Sequence, residues 1–315
     1  MEEEPQEEFF YCSGAATQLL KLGSIDCWPK DDSNTSSRVL FLIIPGNPGI
    51  VCYYKHFMQI LHKILMQKYP VWAISHAGHC IPPEGMGMME DVELEDVFGL
   101  NGQIAHKLAF LRKNVPKDTK LVLIGHSIGC HMILEMMKQK PELQVLKAIL
   151  LFPTIERMAE SPQGKLMTPV LRNLRFLIYV PIYFLSFLPE SIKASLVRWA
   201  LHGLQPLDEA IVSASLNLFS VNCAANAMYM GSQEMMQVVQ RDNSTIKHFL
   251  NKLIFYYGSN DHWSPVTYYE DMKRCFPEGT ILLCQKGIRH AFVLDANVEV
   301  AHMVTEWLKA DLANL

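Results

Sequence analysis

Residues 121–134, LVLIGHSIGCHMIL, set four apolar residues ahead of a tight group of small ones and then resume an apolar series at helical spacing. Leu121 to Ile124 reads as a buried strand, Gly125 as a turn, Ser127 as its apex, and the stretch from about 129 to 140 as a helix. Gly125-His126-Ser127-Ile128-Gly129 fits G-x-S-x-G, the pattern of a nucleophile elbow, and it lies between strand and helix as such an elbow requires. A turn this sharp strains the backbone of its central residue, and side chains at the flanking glycine positions would collide. What the turn gains is a hydroxyl aimed out of the sheet edge, beside a helix N-terminus. A glycine-rich turn without chemistry looks the same over five residues, so the rest of the chain must supply a base and an acid.

Moving outward, the alternation of strand and helix repeats. RVLFLIIPGNPG (38–49) is a continuous apolar run ended by Pro45 and Gly46, the signature of a strand buried on both faces. The spacing of YYKHFMQILHKILMQKY (53–69) predicts a helix, and VWAIS (71–75) a further strand. Val92 to Lys113 reads as a long amphipathic helix blemished by Gly99 and Gly102. LKAILLF (146–152), KLIFYYG (252–258) and TILLC (280–284) read as strands, the last two followed by helices over Val266–Cys275 and Ala296–Leu312. ATQLLKLGSIDCW (16–28) has room for an edge strand or two, and KDDSNTSS (30–37) is a polar turn. The expected fold is α/β, a mostly parallel sheet with helices on both faces. Residues 1–12 read as a solvated acidic tail, 13–152 and 252–315 as the core, and 153–251 as a helical insertion without a convincing strand.

Composition narrows the classes. Half of the 315 residues are hydrophobic, enough for one large domain with a sizeable insertion. The net charge of −4 argues against a nucleic-acid partner, which needs a basic face. The eight cysteines are scattered without a CxxC pair or a close Cys/His grouping, so neither a zinc site nor a disulfide framework is expected. No metal or cofactor is expected. The acidic opening MEEEPQEE is unlike a secretory leader, which points to a reduced, cytosolic setting.

A serine nucleophile needs a base, and the base an orienting acid. LIFYYGSNDHWSP (253–265) puts Asp261 just past a strand, and ILLCQKGIRHAFVLD (281–295) puts His290 on the loop after the last one. Both therefore arise at the carboxyl ends of strands, the edge where Ser127 stands and where open α/β sheets bind ligands. His262 reads as loop structure. Glu156 is an alternative acid, His126 fits either pocket lining or packing, and His76 and His79 fit structural roles. One oxyanion donor would be the backbone N–H of Ile128, directly after the nucleophile, and a second that of Asn47 in PGNPG.

These features resemble the α/β-hydrolase family, whose nucleophile, acid and base follow one another in the order found here. A serine in the elbow favours esters, thioesters or amides over the substrates of relatives that use aspartate. Lids of that family are commonly inserted where 153–251 falls. Within the insertion lies PVLRNLRFLIYVPIYFLSFLPESIKASLVRWAL (169–201), uncharged from Phe176 to Leu188 and interrupted by Pro181. As a helix those thirteen residues span about 20 Å, short of the roughly 30 Å hydrocarbon core of a bilayer. Arg172 and Arg175 precede the run, Lys193 and Arg198 follow it, and Tyr179 and Tyr183 share a helical face. The pattern suits a shallow anchor on a lipid surface through Phe176, Leu177, Ile178, Tyr179, Val180, Pro181, Ile182, Tyr183, Phe184, Leu185, Phe187 and Leu188. A buried lid helix is the competing expectation, and the two are compatible.

LIIPGNPG followed by VCYYKHF, GHSIG, GSNDHWSP and the apolar insertion together resemble the lipid droplet-associated hydrolase family over nearly the whole chain. The resemblance implies Ser127 as nucleophile, Asp261 as acid and His290 as base. It also implies residence on lipid droplets and the cytosolic face of the endoplasmic reticulum, with a lipid ester such as a sterol ester as substrate. Two other expectations stay open: a droplet-surface interaction protein on a hydrolase scaffold, and an acyltransferase using the same three residues. The 17 methionines offer adaptable apolar lining for an acyl chain, or simply core.

Overall fold

The computed structural model describes residues 3–25, 38–90, 96–204 and 207–315. Eight strands run β1 (Gln6–Cys12), β2 (Ala15–Leu22), β3 (Val39–Ile44), β4 (Val71–Ile74), β5 (Lys120–His126), β6 (Val145–Leu151), β7 (Leu253–Gly258) and β8 (Thr280–Cys284). They form one sheet in the order β1-β2-β4-β3-β5-β6-β7-β8. β1 and β2 are antiparallel to their neighbours, and from β4 to β8 the sheet is parallel. The helices are α1 (Lys55–Ile64), α2 (Leu100–Asn114), α3 (Ile128–Gln139), α4 (Pro162–Pro169), α5 (Arg175–Ser186), α6 (Glu190–Ala200), α7 (Glu209–Leu216), α8 (Val221–Gln237), α9 (Asn243–Phe249), α10 (Val266–Cys275) and α11 (Asn297–Ala313).

Two cores account for the sandwich. Outward residues of the parallel strands pack with α1 and α11 on one face (Phe41, Ile43, Phe57, Leu61, Val304), and alternate residues pack with α2, α3 and α10 on the other (Leu40, Leu42, Ile104, Met132, Met272). All six residues of β3 are buried, as a strand covered on both faces must be. Among the described residues, 153–251 contain helices and no strand. The two ends of this excursion are tied together where they leave the sheet. The Arg157 and Met158 amides donate to the Val239 and Val238 carbonyls, and Arg241 pairs with Glu156 at 2.7 Å.

Three expectations change. The acidic tail assigned to 1–12 is a strand from Gln6 onward: β1 pairs with β2 along its whole length, Glu8 meets Lys21 at 2.7 Å, and Cys12 is buried. The hairpin turns on Ser13 and Gly14, both at positive φ, which matches the twist of two antiparallel strands. The helix expected from Val92 begins at Leu100; residues 92–95 lie outside the described residues, as do 26–28 of the edge-strand stretch and the polar turn 30–37. Gly102 is no blemish, because a Cβ there would sit 2.7 Å from the Cα of Val97. Finally, Pro181 does not interrupt α5, which continues through it and ends near Phe187. At twelve residues the helix is about 18 Å long.

Candidate active site

β5 ends at His126 and α3 begins at Ile128, so Ser127 stands alone between them at φ 54° and ψ −120°. The elbow glycines are forced by close packing. A Cβ on Gly129 would run into the carbonyl oxygen of Ile44, and one on Gly125 would lie 2.9 Å from the Cys130 nitrogen. The helix start is thus pressed onto the end of β3. Its bonds hold the strained residue in place: the Ser127 amide donates to the Leu151 carbonyl, and its own carbonyl accepts from Cys130.

The three predicted residues meet at the carboxyl edge. His290 Nε2 lies 2.9 Å from Ser127 Oγ, and His290 Nδ1 lies 2.6 Å from Asp261 Oδ2. The second carboxylate oxygen of Asp261 accepts the backbone amides of Trp263 and Ser264 at 2.8 and 3.1 Å. Burial pushes the Asp261 carboxyl up, but the His290 ring's charge and hydrogen bond, with those two amides, outweigh it and hold the group below its ordinary value. An ionised Asp261 accepts the hydrogen bond from Nδ1–H, which keeps the ring proton on Nδ1 and leaves Nε2 bare and able to accept from the serine hydroxyl. Such a line can deliver an alkoxide-like oxygen to a carbonyl carbon. Thr154 Oγ1, 3.5 Å from Ser127 Oγ, also borders the nucleophile and was not singled out from sequence.

Of the expected oxyanion donors, Ile128 directly follows Ser127 and Asn47 lies on the loop after β3. Ile128 is the first residue of α3, so its N–H has no carbonyl within the helix. Asn47 follows β3, and its side-chain amide turns toward the insertion, donating to the Ala227 carbonyl at 2.8 Å and to Glu234 Oε1 at 2.9 Å. Glu234, on α8, is buried, and burial pushes its carboxyl up to about 8 despite the bond from Asn47. Sequence reasoning passed over it because a glutamate in a helix reads as solvated.

The alternatives separate. Glu156 is buried between Arg241 and Arg157, each at 2.7 Å, so its carboxylate is committed away from His290. His262 is exposed. His79 Nδ1 accepts the Gly49 amide, and His76 is buried against the same loop, so both sit in packing positions. His126 is buried behind the elbow, bonded to Tyr54 and to the His290 carbonyl. Among the described residues no group of three or more His, Cys, Asp or Glu could hold a metal ion.

Beside the triad a cavity of about 520 Å³ opens between core and insertion. Gly46, Asn47, His126 and Ala291 border it on the catalytic side, and Ile182, Leu185, Val197, Leu201, Leu218 and Phe219 wall it on the other. Of the residues expected to touch lipid, Ile182 and Leu185 therefore face inward. Phe176, Leu177, Val180, Tyr183, Phe184 and Phe187 are exposed, each by half its surface or more. Pro181 is exposed as well, while Ile178, Tyr179 and Leu188 are half-buried. Among the described residues no single helix is long and apolar enough to cross a membrane.

The family model described as lipid-droplet associated hydrolase matches residues 37–293. The lipid droplet-associated hydrolase of Gallus gallus is 61% identical over 99% of this chain and 98% of its own length. The chain belongs to the lipid-droplet associated hydrolase family. The Homo sapiens member is 50% identical over 98% of this chain and 96% of its own. Among solved structures, a laboratory-evolved variant of potato epoxide hydrolase aligns with a TM-score of 0.68, covering 98% of this chain and all of that one, at 12% identity. At that identity the likeness is one of fold. This member of the family is thus a hydrolase by kinship and has the α/β-hydrolase fold.

Proposed function

We propose that the protein is a serine hydrolase of lipid esters that works at the surface of lipid droplets. The observation that carries this reading is the unbroken hydrogen-bonded line from Ser127 through His290 to Asp261. Ser127 Oγ attacks the ester carbonyl carbon while His290 Nε2 takes its proton, and Asp261 holds the imidazole in the useful tautomer and balances its charge. The backbone N–H groups of Ile128 and Asn47 stabilise the tetrahedral oxyanion. Collapse expels the alcohol, which takes the proton from His290, and leaves the acyl group on Ser127. Water then attacks with His290 as base, the carboxylic acid departs, and the serine is restored.

The cavity walls support a substrate class. A cavity lined mostly by aliphatic and aromatic side chains and bordered by His126 and Ala291, the chain neighbours of Ser127 and His290, favours an acyl chain or a sterol ester over a polar ester. The relatives are named for the lipid droplet, and the exposed apolar face of α5 gives this chain a means of resting on such a monolayer and on the cytosolic face of the endoplasmic reticulum. With Arg172, Arg175 and Lys193 near it in the chain, and Arg198 paired with Glu209, the face would suit a surface carrying anionic headgroups. No cofactor is needed.

Labelling with a fluorophosphonate probe tests the chemistry. Wild type should label and Ser127→Ala should not. Folded wild type without labelling, with or without droplets, would move the assignment to an interaction protein on a hydrolase scaffold. Adding an acceptor alcohol to the product assay separates hydrolysis from acyl transfer. Removing Phe176 to Leu188 should shift the protein from the droplet fraction to the soluble one, and unchanged recovery with droplets would end the anchor assignment.

A further inference from the structure

A second hydrogen-bonded line runs behind the proposed triad. The Gly46 amide donates to Tyr54 Oη at 2.8 Å, Tyr54 Oη lies 2.7 Å from His126 Nδ1, and His126 Nε2 lies 2.8 Å from the backbone carbonyl of His290. Its ends fix every direction within it. An amide can only donate and a carbonyl can only accept, so His126 Nε2 must carry a proton. Burial, together with the nearby His290, pushes the His126 ring down to about 3, so it is neutral and its Nδ1 is bare. Tyr54 then gives its proton to Nδ1 and accepts from Gly46. Each donor has one acceptor, and no charge is buried.

We propose that His126 is a positioning residue, which locks the backbone of His290 to the loop that carries the oxyanion donor at Asn47. The assignment rests on the serine hydrolase reading. The line crosses three loops far apart in sequence: the one after β3, the elbow itself, and the one after β8. Those loops carry the oxyanion donor, the nucleophile and the base. Their relative placement decides whether Ser127 Oγ and His290 Nε2 stay at bonding distance, and small errors there are costly in rate. The position calls for a side chain that is rigid, neutral, an acceptor on one edge and a donor on the other, which describes a neutral imidazole. Packing holds the ring in this orientation, since Tyr54, Phe152 and Phe292 meet it edge-on, with ring centroids 5.9, 6.3 and 5.1 Å away.

Two readouts on the full-length protein test this. The first is the second-order rate of fluorophosphonate labelling in wild type, His126→Phe, His126→Gln and Tyr54→Phe, each checked for its thermal transition. His126→Phe keeps the ring volume and removes both polar edges; labelling should slow by roughly ten- to a hundredfold. His126→Gln can still donate to the His290 carbonyl and should recover much of that loss, whereas a purely structural role would follow the melting temperature and not this donor. Tyr54→Phe should slow labelling too, and it stands in if the phenylalanine variant does not fold. The second readout is the ¹⁵N spectrum of histidine-labelled protein at neutral pH, with His126 assigned by its absence from the glutamine variant. It should show a neutral ring protonated on Nε2. Unchanged labelling in His126→Phe would overturn the proposal, as would a His126 that is cationic or protonated on Nδ1. If wild type itself does not label, the hydrolase reading fails separately, and the spectrum still decides whether the line exists.

Discussion

Replacing Glu234 with glutamine should make the protein more stable, and by an amount that depends on pH in a calculable way. The carboxyl is buried on α8 and its value rises from 4.5 to about 8. Between those values the folded chain keeps the proton that the unfolded chain has released. Fewer protons bound in the unfolded state means that stability falls as pH rises, by about 1.4 kcal/mol per unit. Over the whole window the loss is about 5 kcal/mol, present in full above pH 8 and absent below 4.5. Glutamine has the same shape, does not ionise, and its Oε1 can still accept from Asn47 Nδ2. Urea unfolding of wild type and Glu234→Gln at intervals from pH 4.5 to 9 should therefore give curves that coincide at the acid end and diverge steadily, the variant being the more stable. The subtraction cancels every other titrating group. Parallel curves across the window would refute the argument, because they would mean that Glu234 ionises in the folded protein as it does in water.

Asp261→Asn should leave the fold intact and cut fluorophosphonate labelling on the order of 10³-fold or more, since an amide cannot enforce the Nδ1–H tautomer of His290; labelling within tenfold of wild type would exclude Asp261 as the acid. Gly129→Ala drives a methyl group into the Ile44 carbonyl and should destabilise the chain by about 3 kcal/mol or more, read as a lowered urea midpoint, with an unchanged midpoint ruling out the close contact between α3 and β3. The two faces of α5 should dissociate. Leu177→Ser with Phe184→Ser, both exposed, should lower droplet recovery at least tenfold and leave the hydrolysis rate of a short soluble ester alone, whereas Ile182→Trp should shift acyl-length preference toward shorter chains and leave droplet recovery alone. Equal effects of both changes on both readouts would contradict the split.

Much of this was legible in advance for a physical reason. The central parallel strands β3, β4 and β7 are buried on both faces and announce themselves as unbroken apolar runs, β5, β6 and β8 are nearly as apolar, and the loops that follow them converge on one edge. Placing Ser127, Asp261 and His290 after three such runs was enough to bring them together without knowing a distance. The antiparallel edge was harder. In β1 the glutamates Glu7 and Glu8 precede Phe9 and Phe10, so no alternation of period two shows, and the charge suggested a tail; the strand exists because β2 supplies a full row of partners and Lys21 neutralises Glu8. The bond between Tyr54 and His126 and the burial of Glu234 were out of reach for a different reason. Their meaning lies wholly in contacts between distant segments, and nothing local distinguishes a buried helical glutamate from the many that face water.

The apolar segment was undecidable from its pattern because one helix carries both a side that walls the cavity and an exposed apolar side. An amphipathic helix shows its buried face by contrast with a polar one. α5 offers no contrast: Ile182 and Leu185 turn toward the cavity, Leu177, Val180 and Phe184 turn outward, and the two sets lie on opposite sides of the same twelve-residue element. The arrangement also links position to access. A surface that attracts the outer face acts on the element that walls the cavity on its inner face, and the neighbouring helix α8 holds Asn47 through Ala227 and Glu234. Displacement of the insertion toward a droplet would widen the cavity and, if α8 moved with α5, would release the Asn47 side chain as well. If the insertion moves at a lipid surface, the bonds from Asn47 to Ala227 and Glu234 tie that displacement to the loop after β3.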